Sequence, residues 1–234
     1  QMLPENILRI PKNYPINIHA SLLPLYRGAS PIHTAIWNQD TKTGVTTIIM
    51  DKGMDKGDIL LTSDTSINEW GTAEDLHERL SKLGADLIVE TLHAVLEKKI
   101  SPKPQDHSKA TYTKILKKSD GKINWHLTNR QILAHINAMT PWPGAFSSLK
   151  GKHIKLQKTG NKKQDNEHSY AIKIFKAGLS DIQSREKPGV IFHCDKSGIH
   201  VSTGNGTIVI LELMGNSGKR LTAAKFLCGH PISP

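Results

Sequence analysis

Asn17-Ile18-His19-Ala20-Ser21-Leu22-Leu23-Pro24 is the stretch around which the chain is organised. A short apolar run ends here in a loop, and period-two alternation puts Asn17 and His19 on one face of the predicted strand. In open α/β sheets, ligands bind beyond the carboxyl ends of the strands. An amide and an imidazole at such an end would supply an oxyanion donor and a proton shuttle. The alternative is a loop histidine hydrogen-bonded to the backbone, and the spacing alone does not decide between the two.

Patterns on either side predict an α/β domain over residues 1–97. β-Branched residues at 45–50 and the apolar run at 59–62 predict two strands. The loop between them, 51–58, has two glycines and three aspartates and is longer than a tight hairpin needs. Such loops often carry function, although this composition is also that of an ordinary turn. A capping-box pattern at 72–75 then opens a long amphipathic helix.

The second half of the chain has a different pattern. Residues 98–115 hold two prolines and interrupt the helical periodicity, so we expect an interdomain linker there. Residues 116–234 predict a short helix at 128–139 and then about six short strands separated by turns. The predicted strands are 145–149, 153–158, 171–177, 189–193, 198–203 and 207–213. This pattern favours a small β-barrel.

Composition restricts the class of protein. The chain has 234 residues, of which 37% are hydrophobic and 22% charged, as in a soluble globular protein. No apolar run approaches the length of a membrane span. Cys194 and Cys228 show neither CxxC spacing nor a paired framework, which suits a reducing compartment and argues against a structural zinc site. We therefore expect a cytoplasmic monomer with no metal and no membrane contact.

The net charge of +10 is unevenly distributed. Residues 1–97 hold 8 basic and 13 acidic side chains, whereas residues 98–234 hold 23 basic and 8 acidic ones. A polyanion such as nucleic acid is the leading candidate partner for the basic half. A basic surface that serves only solubility fits the charge equally well.

Two sets of short motifs run through the chain. The first comprises Asn17-x-His19, the 21–24 segment, Arg27-Gly28, Pro31-Ile32, Trp37, Gly44-Val45-Thr46 and Met54-Asp55-Lys56-Gly57-Asp58. The second comprises Thr111-Tyr112, Ile123-Asn124-Trp125, Pro141-Trp142-Pro143-Gly144-Ala145 and Gly189-Val190-Ile191. Together they resemble the 10-formyltetrahydrofolate-dependent formyltransferases over most of the chain.

The resemblance implies a fold and a domain order. We expect an α/β protein, the C-terminal part of a Rossmann-like formyltransferase domain at 1–97 followed by a small OB-like β-barrel domain at 116–234. The first strands of that Rossmann-like domain would lie outside this sequence. We therefore expect the elements of 1–97 to leave an apolar sheet face uncovered.

The resemblance also implies an activity. A formyl group would pass from N10 of 10-formyltetrahydrofolate to the α-amine of the methionine esterified to initiator tRNA, in translation initiation, without a metal. Asn17, His19 and Asp55 correspond to the catalytic set of the family, with His19 as proton shuttle and Asp55 orienting its imidazole. The folate-binding residues implied in the same way are Ser21, Leu22, Leu23, Pro24, Met2 and Leu3.

The basic half would then hold the tRNA through its phosphates. The candidate contacts are Lys114, Lys117, Lys118, Lys122, Lys150, Lys152 and Lys155, although a solvated surface lysine fits any one of them. Trp125 and Trp142 fit buried core aromatics, which we favour, or platforms for base stacking.

Two other functions remain open. One is a formyltransferase acting on a sugar-nucleotide or ribonucleotide amine, against which the basic half argues. The other is a noncatalytic RNA-binding relative, against which the intact catalytic set argues.

Overall fold

A computed structural model describes residues 3–149, 170–215 and 217–230. The chain forms two compact units, Gln1–Leu116 and Lys117–Pro234. Within the described ranges, no helix combines the length and the apolar character needed to cross a membrane.

The first unit is built on a small antiparallel sheet. Its helices are α1 (Glu5–Leu8), α2 (Pro31–Trp37) and α3 (Ala73–Leu96), and its strands are β1 (Ile16–His19), β2 (Arg27–Gly28), β3 (Lys42–Ile49), β4 (Ile59–Ser66) and β5 (Tyr112–Thr113). The sheet order is β1-β3-β4. Asn17 lies opposite Ile48 and His19 opposite Thr46, which fixes the register of the predicted catalytic strand. β2 and β5 form a separate parallel pair.

Helix α3 confirms the capping-box prediction and packs against β3 and β4. Leu76, Leu80 and Leu87 are buried on its inner face. Leu92 and Leu96, which belong to the same apolar pattern, are 45% and 68% exposed. The apolar pattern of the helix is therefore wider than the surface that the described sheet covers.

The segment expected to be a linker, 98–115, lies against the first unit. Lys103 exchanges two backbone hydrogen bonds with Ile59, at 2.8 and 2.9 Å. The backbone N–H of Arg27 donates to the carbonyl of Thr111 at 2.9 Å, next to the β2–β5 pair. These pairings involve only one or two residues each, so they leave no periodicity in the sequence. The composition of 98–115 therefore predicts a linker, whereas the structure shows a segment paired with the first unit.

The second unit contains a larger antiparallel sheet. Its helices are α4 (Asn129–Met139) and α5 (Ala223–Gly229), and its strands are β6 (Ala145–Leu149), β7 (Tyr170–Leu179), β8 (Ile191–Cys194), β9 (Ile199–Ser202), β10 (Thr207–Met214) and β11 (Arg220–Thr222). The order is β6-β7-β10-β9-β8, and β11 also pairs with β10. Among the described strands, no pairing of β8 with β6 closes the sheet, so the OB-like barrel stays a prediction.

Most strands of this unit follow the sequence prediction. Ala145–Leu149 forms as expected, and β7 to β10 differ from their predicted bounds by a few residues. The predicted strand at 153–158 lies outside the described residues. β11 has only three residues and was not predicted. Ile132 and Ile136 of α4 are buried, so this helix contributes to the core of the unit.

The N-terminus of α3 is closed by a reciprocal pair of hydrogen bonds. The Thr72 hydroxyl accepts from the Asp75 N–H at 3.2 Å, and the Asp75 carboxylate accepts from the Thr72 N–H at 2.8 Å. The Thr72 N–H holds the pKa of Asp75 below its usual 3.8. Because the folded pKa is depressed, this stabilisation is complete above the unfolded pKa and is lost as the pH falls through the folded value.

Replacing Asp75 by Ala should lower the free energy of unfolding by about 1 kcal/mol at pH 7, because it removes half of the cap. Urea unfolding followed by circular dichroism measures the loss. The difference between Asp75→Ala and wild type should shrink as the pH falls below 3.8. Asp86→Ala, on the exposed face of the same helix, is the control and should change stability little. An Asp75 effect that is independent of pH would contradict the role of the carboxylate.

Candidate active site

A pocket of about 520 Å³ in the first unit contains two of the three predicted catalytic residues. Asn17 reaches it from β1 and Asp55 from the loop between β3 and β4. Its volume is typical of a small-molecule site. The other lining residues are Leu3, Gly28, Ala29, Ile48, Met50, Asp51, Gly53, Met54, Thr113, Lys114 and Ile115.

His19 lies beside this pocket but is not one of its lining residues. Its ring is buried, with the residue 6% exposed. Nε2 lies 2.9 Å from the carbonyl oxygen of Tyr26, and Nδ1 lies 3.6 Å from Oδ2 of Asp55. A carbonyl oxygen only accepts, so Nε2 carries a hydrogen and donates it. Nδ1, facing the carboxylate, is the nitrogen left to gain or lose a proton.

His19 is hydrogen-bonded to the backbone, as one of the two interpretations left open by the sequence has it, and its role as a proton shuttle stays a prediction. One ring nitrogen is hydrogen-bonded to the backbone, and the other faces Asp55. The structure brings Asn17, His19 and Asp55 together in one unit. It differs from the expectation in one respect, since Asp55 and not His19 is the member of the pair that lines the pocket.

Asp55 is held in an unusual backbone conformation. Its φ of +53° is in the left-handed region, which costs about 1–2 kcal/mol for a residue with a side chain. The backbone N–H of Gly28 donates to its Oδ2 at 2.7 Å. Gly28 itself has φ +105°, and a Cβ there would lie 2.5 Å from the carbonyl oxygen of Thr113. Only glycine permits this approach, so the Arg27-Gly28 motif has a steric cause.

Gln105 fixes the backbone of the Asp55 loop. Its Nε2 donates to the carbonyl of Asp55 at 2.9 Å and to that of Gly57 at 2.7 Å. Its Oε1 accepts from Nη2 of Arg27 at 2.6 Å and from Nε at 3.1 Å. Gln105 is 5% exposed and Arg27 1% exposed. Sequence reasoning missed Gln105, because nothing in its proline-flanked segment marks a buried amide.

Comparison with known proteins gives the family. Residues 1–92 match the family model of the formyl transferases, and residues 115–231 match that of the formyl transferase C-terminal domain. The chain belongs to the formyl transferase family. It is therefore an enzyme that transfers a formyl group.

Relatives of this formyl transferase match along its whole length. It is 39% identical to the methionyl-tRNA formyltransferase of Citrifermentans bemidjiense and 41% identical to that of Geobacter sulfurreducens. Each match covers 100% of this chain, and 67% and 68% of the respective relative. HypX from Aquifex aeolicus, solved in complex with tetrahydrofolic acid, shares the fold, with a TM-score of 0.65 and 17% identity over 91% of this chain and 34% of HypX.

The structure does not bring the predicted folate-binding segment of this formyl transferase into the pocket. Ser21 is fully buried, and its hydroxyl donates to the carbonyl of Leu25. The Thr46 hydroxyl donates to the carbonyl of Ser21 at 2.7 Å and accepts from the N–H of Leu23 at 3.2 Å. These bonds use the polar groups of the segment internally. Leu22 and Pro24 are also absent from the lining residues, Leu3 is among them, and Met2 lies outside the described residues.

The predicted tRNA contacts are distributed over both units. Lys114 lines the pocket of the first unit. Lys117, Lys118 and Lys122 are exposed around a short 3₁₀ turn at the start of the second unit. Lys150, Lys152 and Lys155 lie outside the described residues.

The two tryptophans differ from each other. Trp125 is half-buried and donates from Nε1 to the hydroxyl of Ser147 at 2.8 Å. Trp142 is 51% exposed, so the expectation of a buried core aromatic was wrong for it. It stands between two prolines after the end of α4, where the chain turns before β6.

Replacing Gln105 by Leu should destabilise the first unit by about 3 kcal/mol, because it leaves the buried Arg27 guanidinium and two loop carbonyls without their partner. Turnover should fall at least about tenfold as the Asp55 carboxylate loses its fixed position. Thermal unfolding and a formyl-transfer assay measure the two effects. Gln183→Leu, at an exposed glutamine of the second unit, is the matched control and should change neither.

The Gln105→Glu variant separates stability from positioning. A carboxylate still accepts from Arg27 but cannot donate to the carbonyls of Asp55 and Gly57. We expect its melting temperature to stay closer to that of wild type than the Leu variant does, while its turnover falls as far. Turnover near the wild-type value in the Glu variant would show that the amide does not position Asp55.

Proposed function

We propose that this formyl transferase moves the formyl group of 10-formyltetrahydrofolate to the α-amine of methionyl initiator tRNA. The observation that carries the proposal is the meeting of the Asn17 amide and the Asp55 carboxylate in one pocket, with His19 Nδ1 3.6 Å from that carboxylate. The choice of acceptor is supported by the relatives named methionyl-tRNA formyltransferase, which match along the whole chain. This role belongs to the cytoplasm.

The first step is attack of the amine on the formyl carbon. The formyl oxygen then takes up negative charge, and a neutral N–H donor aimed at it stabilises the transition state more than the ground state. The side-chain amide of Asn17 is such a donor, half-buried at the pocket wall. The pairing of β1 with β3 holds its backbone in place.

The second step moves a proton from the attacking amine to N10, the leaving nitrogen. Asp55 is the group of the pair that faces the pocket, so we infer that its carboxylate receives the amine proton. His19 Nδ1 then shares the proton with Asp55, while Nε2 stays bonded to Tyr26. The pair delivers the proton to N10 as the bond between N10 and the formyl carbon breaks, which releases tetrahydrofolate and the formylated amine. Catalytic hydrogen bonds are often long in the absence of substrate, so the Nδ1 to Oδ2 contact of 3.6 Å should shorten when the site is filled.

The remaining wall of the pocket suits the folate ring. Ile48, Met50 and Met54 supply apolar surface, and polarizable methionine side chains adapt to a flat heterocycle. Leu3 lines the same pocket, which supports its assignment as a folate contact. The 21–24 segment acts indirectly, because its internal hydrogen bonds shape the loop between Asn17 and Gly28.

Basic residues would hold the tRNA by its phosphates. Lys117, Lys118 and Lys122 form an exposed group of like charge, and each phosphate neutralised adds affinity that does not depend on sequence. Lys114 at the pocket would contact the acceptor end.

Replacing Asn17 by Ala should lower kcat about 100- to 1,000-fold with little change in KM, because the amide acts on charge that develops only in the transition state. Asp55→Asn keeps the shape of the side chain and should lower kcat by orders of magnitude. Single-turnover formyl transfer to charged initiator tRNA measures both. His77→Ala, on an exposed turn of α3, is the control. An Asn17→Ala enzyme with wild-type kcat would remove the assigned role.

The acceptor is tested in a competition. The chain is given radiolabelled 10-formyltetrahydrofolate with methionyl initiator tRNA and a sugar-nucleotide amine in the same mixture. Formylation of the tRNA supports the proposal. Transfer to the sugar alone would overturn it.

Affinity for tRNA should fall steeply between low and moderate salt, because binding releases counterions from the phosphates. Replacing Lys117, Lys118 and Lys122 together by Ala should reduce the slope of log K against log salt by about 0.9 for each phosphate that these lysines neutralise. Lys82→Ala, in the acidic half, should leave the slope unchanged. Filter binding over a salt series measures it, and a flat response would contradict an electrostatic interface.

A further inference from the structure

Three side chains with metal-binding atoms meet in the second unit, outside the formyl-transfer site. His193 lies on β8, Asp195 in the turn that follows, and His200 on β9. One ligand atom from each lies within 4.8 Å of the others. His193 and His200 are register partners across the two strands, which explains why the hairpin brings their rings together, with centroids 5.2 Å apart.

Two of the distances between possible ligand atoms are close to those around a tetrahedral ion. Nε2 of His193 lies 3.2 Å from one carboxylate oxygen of Asp195, and Nε2 of His200 lies 3.5 Å from the other. Zinc holds nitrogen and oxygen ligands at about 2.0–2.1 Å, so neighbouring ligand atoms of a tetrahedron are about 3.3 Å apart. The two imidazoles approach different oxygens of the carboxylate, so a single ion requires a small shift of Asp195 or of one ring.

Neighbouring hydroxyl and backbone N–H groups form hydrogen bonds with His200 and Asp195. Nδ1 of His200 lies 2.8 Å from the hydroxyl of Ser180, and in the tautomer that donates this bond the Nε2 lone pair is free for a metal. Asp195 accepts from the hydroxyl and N–H of Ser197 and from the N–H of Gly198.

We propose that His193, Asp195 and His200 bind a divalent transition-metal ion, with Zn²⁺ as the best fit, and that a water completes the coordination. Two imidazoles and a carboxylate are a donor set that zinc accepts. The ion would join β8, β9 and their turn, and so stabilise the second unit.

Ser197 and Cys194 are two further groups next to the three ligands. Nε2 of His200 also lies 3.0 Å from the Ser197 hydroxyl. Because that hydroxyl donates its hydrogen to Asp195, Nε2 carries the ring hydrogen in this contact, and metal binding requires the hydrogen to move to Nδ1, which then donates to Ser180. Cys194 lies between His193 and Asp195 in the chain, but its sulfur is not among the ligand atoms that meet here. The site therefore consists of the three named residues without the cysteine.

Calorimetric titration of the whole chain with Zn²⁺ tests the proposal, together with the visible absorption of Co²⁺ as a probe of tetrahedral geometry. Asp195→Asn keeps the turn acceptor but removes the charge, and His193→Asn removes a half-buried ligand. Ser180→Ala removes only the partner of His200, so Ser180 is a positioning residue. The controls are His126→Asn, at an exposed histidine of the same unit, and Cys194→Ser.

We expect one Zn²⁺ per chain, and affinity at least about tenfold lower in the Asp195, His193 and Ser180 variants but unchanged in both controls. Zn²⁺ should raise the melting temperature of the wild type and not that of Asp195→Asn. Melting of each variant without metal shows that it is folded. Equal affinity in Asp195→Asn and His126→Asn, or Co²⁺ without a tetrahedral spectrum, would overturn the proposal.

Discussion

The geometry of the pocket around Asp55 depends on one buried side-chain amide. Gln105 accepts from the guanidinium of Arg27 and donates to the carbonyls of Asp55 and Gly57. A buried guanidinium needs acceptors, and buried carbonyls need donors. Among the common side chains, an amide supplies both at once, whereas a carboxylate only accepts and an ammonium only donates. For this reason the neutral Gln105 lies between the Arg27 cation and the loop that carries Asp55. Its hydrogen bonds hold this loop with Asp55 in the left-handed conformation.

The ring of His19, which faces Asp55, is also held by a residue outside the pocket. Tyr26 donates from its hydroxyl to Asp40 at 2.6 Å, and burial is the main reason that its pKa is raised. With its side chain anchored, Tyr26 presents its carbonyl to Nε2 of His19, which fixes the tautomer of the ring. Nδ1 is left to face Asp55. The nitrogen that faces Asp55 is therefore determined by a residue that does not line the pocket.

The sequence predicts elements whose periodicity is local. Alternation along β1 places Asn17 and His19 on one face, and the capping box opens α3 where expected. The two residues of that face nevertheless differ in accessibility, because the loop after β1 folds back and covers His19 through Tyr26. Alternation specifies a face of a strand, whereas burial depends on contacts that arrive from elsewhere in the chain.

Non-local contacts explain what the sequence did not predict. Residues 98–115 have the composition of a linker, yet Gln105 and the two-residue pairing of β5 with β2 make them part of the catalytic unit. The 21–24 segment resembled a ligand contact and instead satisfies its own polar groups through Thr46, 25 residues from Ser21. In both cases a polar side chain forms hydrogen bonds with residues far away in the sequence. Prediction from hydrophobic periodicity considers only short stretches of sequence, so it cannot detect such bonds. The residues that line the pocket are therefore easier to predict than those that hold them in place.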